Sequence, residues 1–167
     1  FSLLLILSAL VRGTTFLFIK NYISSQIVEF QKVQAVKGAS EIQKFFTNLT
    51  SNSFSLARLY QQDSEAIIPA ANYVLNSSTY IKKIAFLSPV GRELIKFDFS
   101  GKLPDDSLTY EVPSEPFKSA VSGTTSISKV YYTDRGLGPH VDLFSPIFAD
   151  SNTVAGVVKM QINLTLL

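Results

Sequence analysis

Between Lys129 and Phe144 lie the side chains of this chain best suited to recognising a charged molecule: Lys129, Tyr131, Arg135, His140, Asp142 and Phe144. Lys129 and Tyr131 share one strand face, and His140, Asp142 and Phe144 share another, because successive residues of a strand point to opposite sides. Where the two faces coincide, a cation and a carboxylate converge. Asp142 is the most informative of the set. It sits inside the apolar run His140-Val-Asp-Leu-Phe-Ser-Pro-Ile-Phe148, and a buried carboxylate needs a partner, which Lys129, Arg135 or a ligand amine would supply. Lys129 with Arg135 could instead hold a carboxylate ligand, the guanidinium through two parallel hydrogen bonds. Plainer roles stand beside these: Tyr131 and Phe144 as core aromatics, Lys129 and Arg135 as solvated charges, His140 as an exposed or capping residue after Pro139.

Catalysis finds little support. Ser145 has a single histidine to work with and no Gly-x-Ser-x-Gly elbow around it. Asp105 and Asp106 are adjacent in a Pro-rich loop, where neighbouring side chains point apart into solvent. Neither a P-loop nor a dinucleotide fingerprint is present. The absence of cysteine removes thiolate chemistry and Cys-ligated metal, and one histidine cannot build a His-rich metal site. A net charge of +2 without a basic run gives no surface for nucleic acid. The chain is therefore expected to be neither an enzyme nor a cofactor or metal carrier.

The elements that must position these residues follow from the pattern. Residues 140–148 and 154–162 flank the polar turn 149–153 and form a hairpin. In the second flank Val158, Met160, Ile162 and Leu164 fall on one face and Lys159, Gln161 and Asn163 on the other, as in a half-buried strand. Pro146 is expected at a bulge or with its nitrogen turned away from the ladder, and Gly156 at a close approach. Ile81–Leu87, the turn Ser88-Pro-Val-Gly91 and Glu93–Phe99 make another hairpin. The long stretch from Ser100 to Ser114 has the character of a lid or binding loop. Ser114 caps a short helix through Val121 that ends before Gly123, and Thr125–Tyr132 is the remaining strand. Five strands with antiparallel connections make one sheet.

Upstream, apolar residues at three- and four-residue steps (Ile23, Ile27, Phe30, Val33, then Ile42, Phe45, Phe46, Leu49, Leu56 and Leu59) describe one long amphipathic helix to about Tyr60, loosened near Gly38. One stripe is expected on the sheet; another either pairs with the same helix of a second subunit or is plain core. Asp63-Ser64 is a cap for a second helix to about Leu75, with a break or kink at Pro69. Residues 1–19 are apolar enough for a membrane span. Arg12 then lies near an interface or faces a partner helix, and a cleaved signal peptide is the competing reading. The first residue is Phe rather than Met, which suggests a start inside a longer protein. The expected organisation is a transmembrane helix over 1–19, a membrane-proximal helix over 20–62 and a sensor unit over 63–167.

Four pieces in this order resemble the Cache family of extracytoplasmic sensor domains: 81–95, the Pro116-Phe117…Ala120…Gly123 helix, the strand at Ser126–Val130, and Leu143-Phe-Ser-Pro-Ile-Phe-Ala-Asp150…Gly156-Val-Val158. The resemblance implies an α+β fold, a PAS-like five-stranded antiparallel sheet with the long helix on one face, and a single PAS-like unit. It also implies a small-molecule sensor, with a carboxylate as one candidate ligand, in a bacterial membrane receptor such as a histidine kinase, chemoreceptor or diguanylate cyclase. Residues from about 20 onward would be extracytoplasmic and the chain homodimeric through the long helix, with a second membrane helix following Leu167. The family's pocket, on the sheet face away from the long helix, would hold Tyr110, Phe117, Lys129, Tyr131, Arg135, His140, Asp142 and Phe144. The tryptophan motif of the amino-acid-binding subgroup is missing, so an amino-acid ligand is not implied. The alternative is a ligand-free tethered module for dimerisation or partner contact, its pocket filled by its own side chains such as Phe117 or Tyr132.

Overall fold

A computed structural model describes residues 2–63, 65–133, 138–150 and 153–166, with side-chain surroundings within 26–165. Ser64 and Arg135, both singled out in the sequence, lie outside the described residues. So do the side chains of the expected membrane segment 1–19. Among the described residues, no helix is long and apolar enough to cross a membrane.

The chain divides into two compact units, Phe1–Phe46 and Thr47–Leu167. Helix α1 spans Ser2–Gln62, so Gly38 does not interrupt it. In the first unit Ile27, Val28, Phe30, Val33, Val36 and Ile42 are all exposed. Within the second unit Leu49, Ser53, Leu56 and Ala57 of α1 are buried, and this part of the helix carries the expected sheet-packing stripe.

In the second unit, helix α2 (Ile67–Ser77) follows a turn in which Asp63 Oδ1 accepts from the amides of Glu65 and Ala66. Pro69 neither breaks nor kinks α2. It falls in the first turn, where amides have no partner within the helix and the missing N–H costs nothing. Strands β1 (Ile81–Leu87), β2 (Glu93–Asp98), β3 (Gly101–Lys102), β4 (Ser126–Ile127), β5 (Tyr131–Tyr132), β6 (Pro139–Phe148) and β7 (Val154–Asn163) form one antiparallel sheet. Its order is β3-β2-β1-β7-β6-β4, with β5 also on β6.

All five expected strands are present, with two differences. The expected 125–132 strand is split in two because Ser128 breaks the ladder with β6: its Oγ accepts from the Asp142 amide while its own amide donates to the Asp142 carbonyl, each at 2.9 Å. The short β3 is added at the edge by a tight turn, in which Asp98 Oδ1 takes the Ser100 amide and Gly101 adopts φ +107. Pro146 is not at a bulge: it pairs in regular register with Val157, and the irregularity lies between Ile147 and Phe148.

One face of the sheet packs on the end of α1. Register brings Ile84 and Phe86 of β1 beside Met160 and Val158 of β7, and Leu143 of β6 beside Met160, every one of them nearly or fully buried. Tyr60 stacks on Phe86 with ring centres 4.6 Å apart, and Ser53 Oγ lies 2.6 Å from Ser145 Oγ. The opposite face carries Ala85, Leu87, Asp142, Phe144, Val157, Lys159 and Gln161. Helix α3 (Glu115–Val121), with Ser114 accepting from the Phe117 amide at its start, covers one end of that face. Leu87, Phe117, Ala120, Phe144 and Val157 make an apolar cluster there.

Candidate ligand-binding site

Beside this cluster the same sheet face turns polar. Lys159 stands on β7 between Ala85 of β1 and Phe144 of β6. Its Nζ is 2.6 Å from Glu111 Oε2, 3.2 Å from Asp142 Oδ2 and 5.5 Å from the centre of the Phe144 ring. The other Asp142 oxygen accepts from the Tyr131 hydroxyl at 2.8 Å, and Gln161 Nε2 donates to that hydroxyl at 2.7 Å. A second ion pair lies along β2, where Glu93 Oε2 takes Lys96 Nζ at 2.9 Å and the Thr109 amide at 2.8 Å. Between the pairs is a cavity of about 140 Å³ lined by Lys83, Ala85, Glu93, Lys96, Thr109, Glu111, Lys159 and Gln161.

Thr109 and Glu111 form the roof of this cavity because the backbone of residues 103–111 is tied to the sheet. Leu103 N donates to Lys96 O, Glu93 N to Thr109 O and Glu111 N to Gly91 O, all between 2.8 and 2.9 Å. Gly91 is required for the last of these: it has φ +89, and a Cβ there would lie 2.9 Å from the Glu111 carbonyl. Glu111 is thereby aimed down onto Lys159.

Electrostatics follow from the pairing. Burial opposes the charge on Lys159, but Asp142 and Glu111 together outweigh it, so its pKa is raised. Burial likewise works against ionised Glu93, and the bonds from Lys96 and Thr109 prevail and lower its pKa. For Tyr131, burial pushes the phenol far above its usual range, with Asp142 adding to the effect and Gln161 opposing it.

None of the described residues expected at the site lines this cavity; Tyr131, His140, Asp142 and Phe144 lie together on the same sheet face, with Phe117 of α3 against Phe144. Tyr131 stacks on His140, the imidazole Nδ1 lies 2.9 Å from the Gly138 carbonyl oxygen, and Phe117 meets Phe144 edge-on. His140 is 2% exposed, which sets aside its reading as a surface residue. Tyr110 and Lys129 are exposed and do not line the cavity. Ser145 lies on the α1 side of β6 and His140 on the other, because the strand alternates regularly between them. A Ser–His nucleophile is therefore excluded.

The cation facing Asp142 is Lys159. Sequence reading placed Lys159 and Gln161 correctly on the polar face of their strand, but took that face as open to solvent. The break after Gly101 that folds 103–111 over it has no local signature. Glu93, Lys96 and Glu111 were missed for the same reason.

No protein-family model and no curated protein matches the chain. Solved structures do match. The domain of a sensory box/GGDEF family protein from Vibrio parahaemolyticus superposes with a TM-score of 0.57 at 20% identity, over 75% of this chain and 54% of that one. The extracellular domain of the histidine kinase vpHK1S-Z8 gives 0.58 at 19% identity, over 76% and 52%. The sensory domain of the Campylobacter jejuni chemoreceptor Tlp3, with isoleucine bound, gives 0.55 at 13% identity, over 74% and 54%. The chain spans about half the length of each of these structures. At these identities the likeness is one of fold: the chain has the α+β fold of the extracytoplasmic sensory domains of bacterial receptors, as its resemblance to the Cache family implies.

Proposed function

We propose that this chain is the extracytoplasmic sensing region of a membrane signal-transduction receptor, anchored through residues 1–19, and that a small molecule binds in the polar cavity under residues 103–111. The observation carrying this reading is the convergence of Glu93, Lys96, Glu111 and Lys159 on one cavity, with Asp142 behind Lys159. A small number of convergent polar groups fixes orientation in small-molecule sites; here the lining is almost wholly polar, with Ala85 as its apolar member. The sensory-domain fold supports it, and Tlp3, a structure of that fold, holds isoleucine.

The cavity is smaller than the roughly 300 Å³ at which drug-sized sites begin, so the ligand is small or its entry lifts the roof. Because Glu111 on the roof is paired with Lys159 on β7, a ligand that separates the pair changes both at once. Signalling requires it to bind the two arrangements with different affinity. No catalytic step is assigned to this region. A carboxylate ligand held by Lys129 and Arg135 gains no support from the exposed position of Lys129.

The second reading, a ligand-free interaction module, is favoured by one observation: Phe117 packs into the apolar end of this face, and internal ion pairs take up the rest. Pairing of two copies along Ile27, Phe30, Val33 and Ile42, exposed on α1, is compatible with both. A thermal-shift screen of the chain from Tyr22 onward, against carboxylates, amines and purines, separates the two readings. A ligand at 100 times its dissociation constant adds about 2.7 kcal/mol. A shift that Asp142→Ala removes supports sensing in this cavity; a broad library without effect supports the interaction module.

A further inference from the structure

The surroundings of Lys159 Nζ have the chemistry of an ammonium receptor. Two carboxylates accept from it, Glu111 at 2.6 Å and Asp142 at 3.2 Å, and the face of Phe144 lies 5.5 Å away. Carboxylate oxygens with an aromatic face are what hold an organic cation in a partly dry site. The receptor is also braced from behind, since Tyr131 donates to the remaining oxygen of Asp142 and Gln161 in turn donates to the Tyr131 hydroxyl. The cavity reaches this site from the side of Lys159, Glu111 and Gln161, which line it, while Asp142 and Phe144 stand behind the ammonium. The other cations differ: Lys96 is held by Glu93 on the opposite wall, and Lys83 is exposed at the rim. An anionic ligand directed at Lys159 would meet both carboxylates already beside it. A cationic ligand directed at the carboxylates meets only the tethered ammonium.

We propose that Asp142, Glu111 and Phe144 form a binding site for an organic primary ammonium group, which Lys159 occupies in cis and which a free ammonium enters by displacing Lys159 Nζ. This inference rests on the sensing reading and names its ligand class. Lys159 is then an intramolecular competitor. A tethered group acts at an effective concentration in the millimolar range or above, so it weakens binding of a free amine and sets the threshold at which the site responds.

The test is calorimetric titration of ethylammonium chloride into the full chain in detergent, as wild type, Lys159→Ala and Lys159→Met. Sodium chloride and sodium acetate serve as controls at equal ionic strength, and circular dichroism verifies folding. Lys159→Ala is expected to bind ethylammonium at least about tenfold more tightly than wild type, and Asp142→Asn added to it is expected to abolish the gain. A folded Lys159→Ala chain that binds no better than wild type, or that prefers acetate, overturns the inference. If that happens while the wild type still responds to another ligand class, the sensing reading stands without it. Should neither variant fold, the wild-type chain with 15N-labelled lysine gives the answer: a changed Lys159 Nζ signal under ethylammonium but not sodium supports displacement, and an unchanged one overturns it.

Discussion

Asp142 is 7% exposed in the middle of β6 and satisfies its two oxygens with different partners, Lys159 on one and Tyr131 on the other. Removing the carboxylate leaves a partly buried ammonium with one counter-charge and a buried phenol without an acceptor. Asp142→Ala is therefore expected to cost about 2–4 kcal/mol, read as a lower urea midpoint at unchanged slope, and Asp142→Asn clearly less. The ion pairs also fix how stability depends on pH. The pKa of Glu93 is lowered on folding, so its contribution is present above the unfolded carboxyl value of about 4.3 and is lost as pH falls through the lowered folded value. The pKa of Lys159 is raised, so its contribution is complete below about 10.4 and is lost as pH rises through the folded value. Both pairs are thus intact between about pH 5 and 10. Melting temperatures measured from about pH 6 down to 2 should fall for the wild type and fall less for Glu93→Gln.

At the scale of elements, the sheet is held to α1 by close packing and to its roof by backbone pairing, and the two respond differently to change. Gly156 belongs to the packed part. A Cβ there would lie 2.6 Å from the Leu87 carbonyl oxygen and 3.4 Å from Ile147 Cδ1, where β7 passes the end of β1. Since neither backbone can retreat without disturbing the ladder, Gly156→Ala is expected to destabilise by about 1–3 kcal/mol, measured by chemical denaturation. Gly38 is the internal control. Nothing lies within 4 Å of its Cβ position, and in mid-helix the same substitution should stabilise by about 0.5–1 kcal/mol. The roof at Thr109 and Glu111 depends instead on a few backbone hydrogen bonds and on the Glu111 ion pair, the kind of attachment that opens before the core does.

For the whole molecule, the division of the chain predicts what folds alone. Among the described residues, those that are buried run from Leu49 to Asn163, all within the unit Thr47–Leu167. A chain starting at Thr47 should keep a single cooperative transition within about 1 kcal/mol of the longer chain, roughly 4 °C in midpoint. A chain starting at Asp63 loses Leu49, Ser53, Leu56 and Ala57, which uncovers the side of the sheet around Phe86 and Ser145. It should show no cooperative melt and should bind a hydrophobic dye.

Much of this fold was legible in the sequence. Strand alternation and turn chemistry are local, and they gave both hairpins, the cap at Ser114, the close approach at Gly156 and the polar side of β7. Asp142 stood out as a carboxylate in an apolar run because its burial followed from the residues around it. The identity of its partner did not follow, because Lys129 and Lys159 are equally plausible until strand order is known. Only the β6–β7 register puts Lys159 one strand away from Asp142, while Ser128 breaks the ladder and leaves Lys129 exposed. Pro69 misled because its cost depends on where the helix begins, and periodicity marked the apolar stripe of α1 without naming what covers it. Sequence alone determined the elements and their order, which are fixed by neighbours along the chain. The tertiary structure decided which charges meet, since that depends on residues brought side by side by pairing across the sheet.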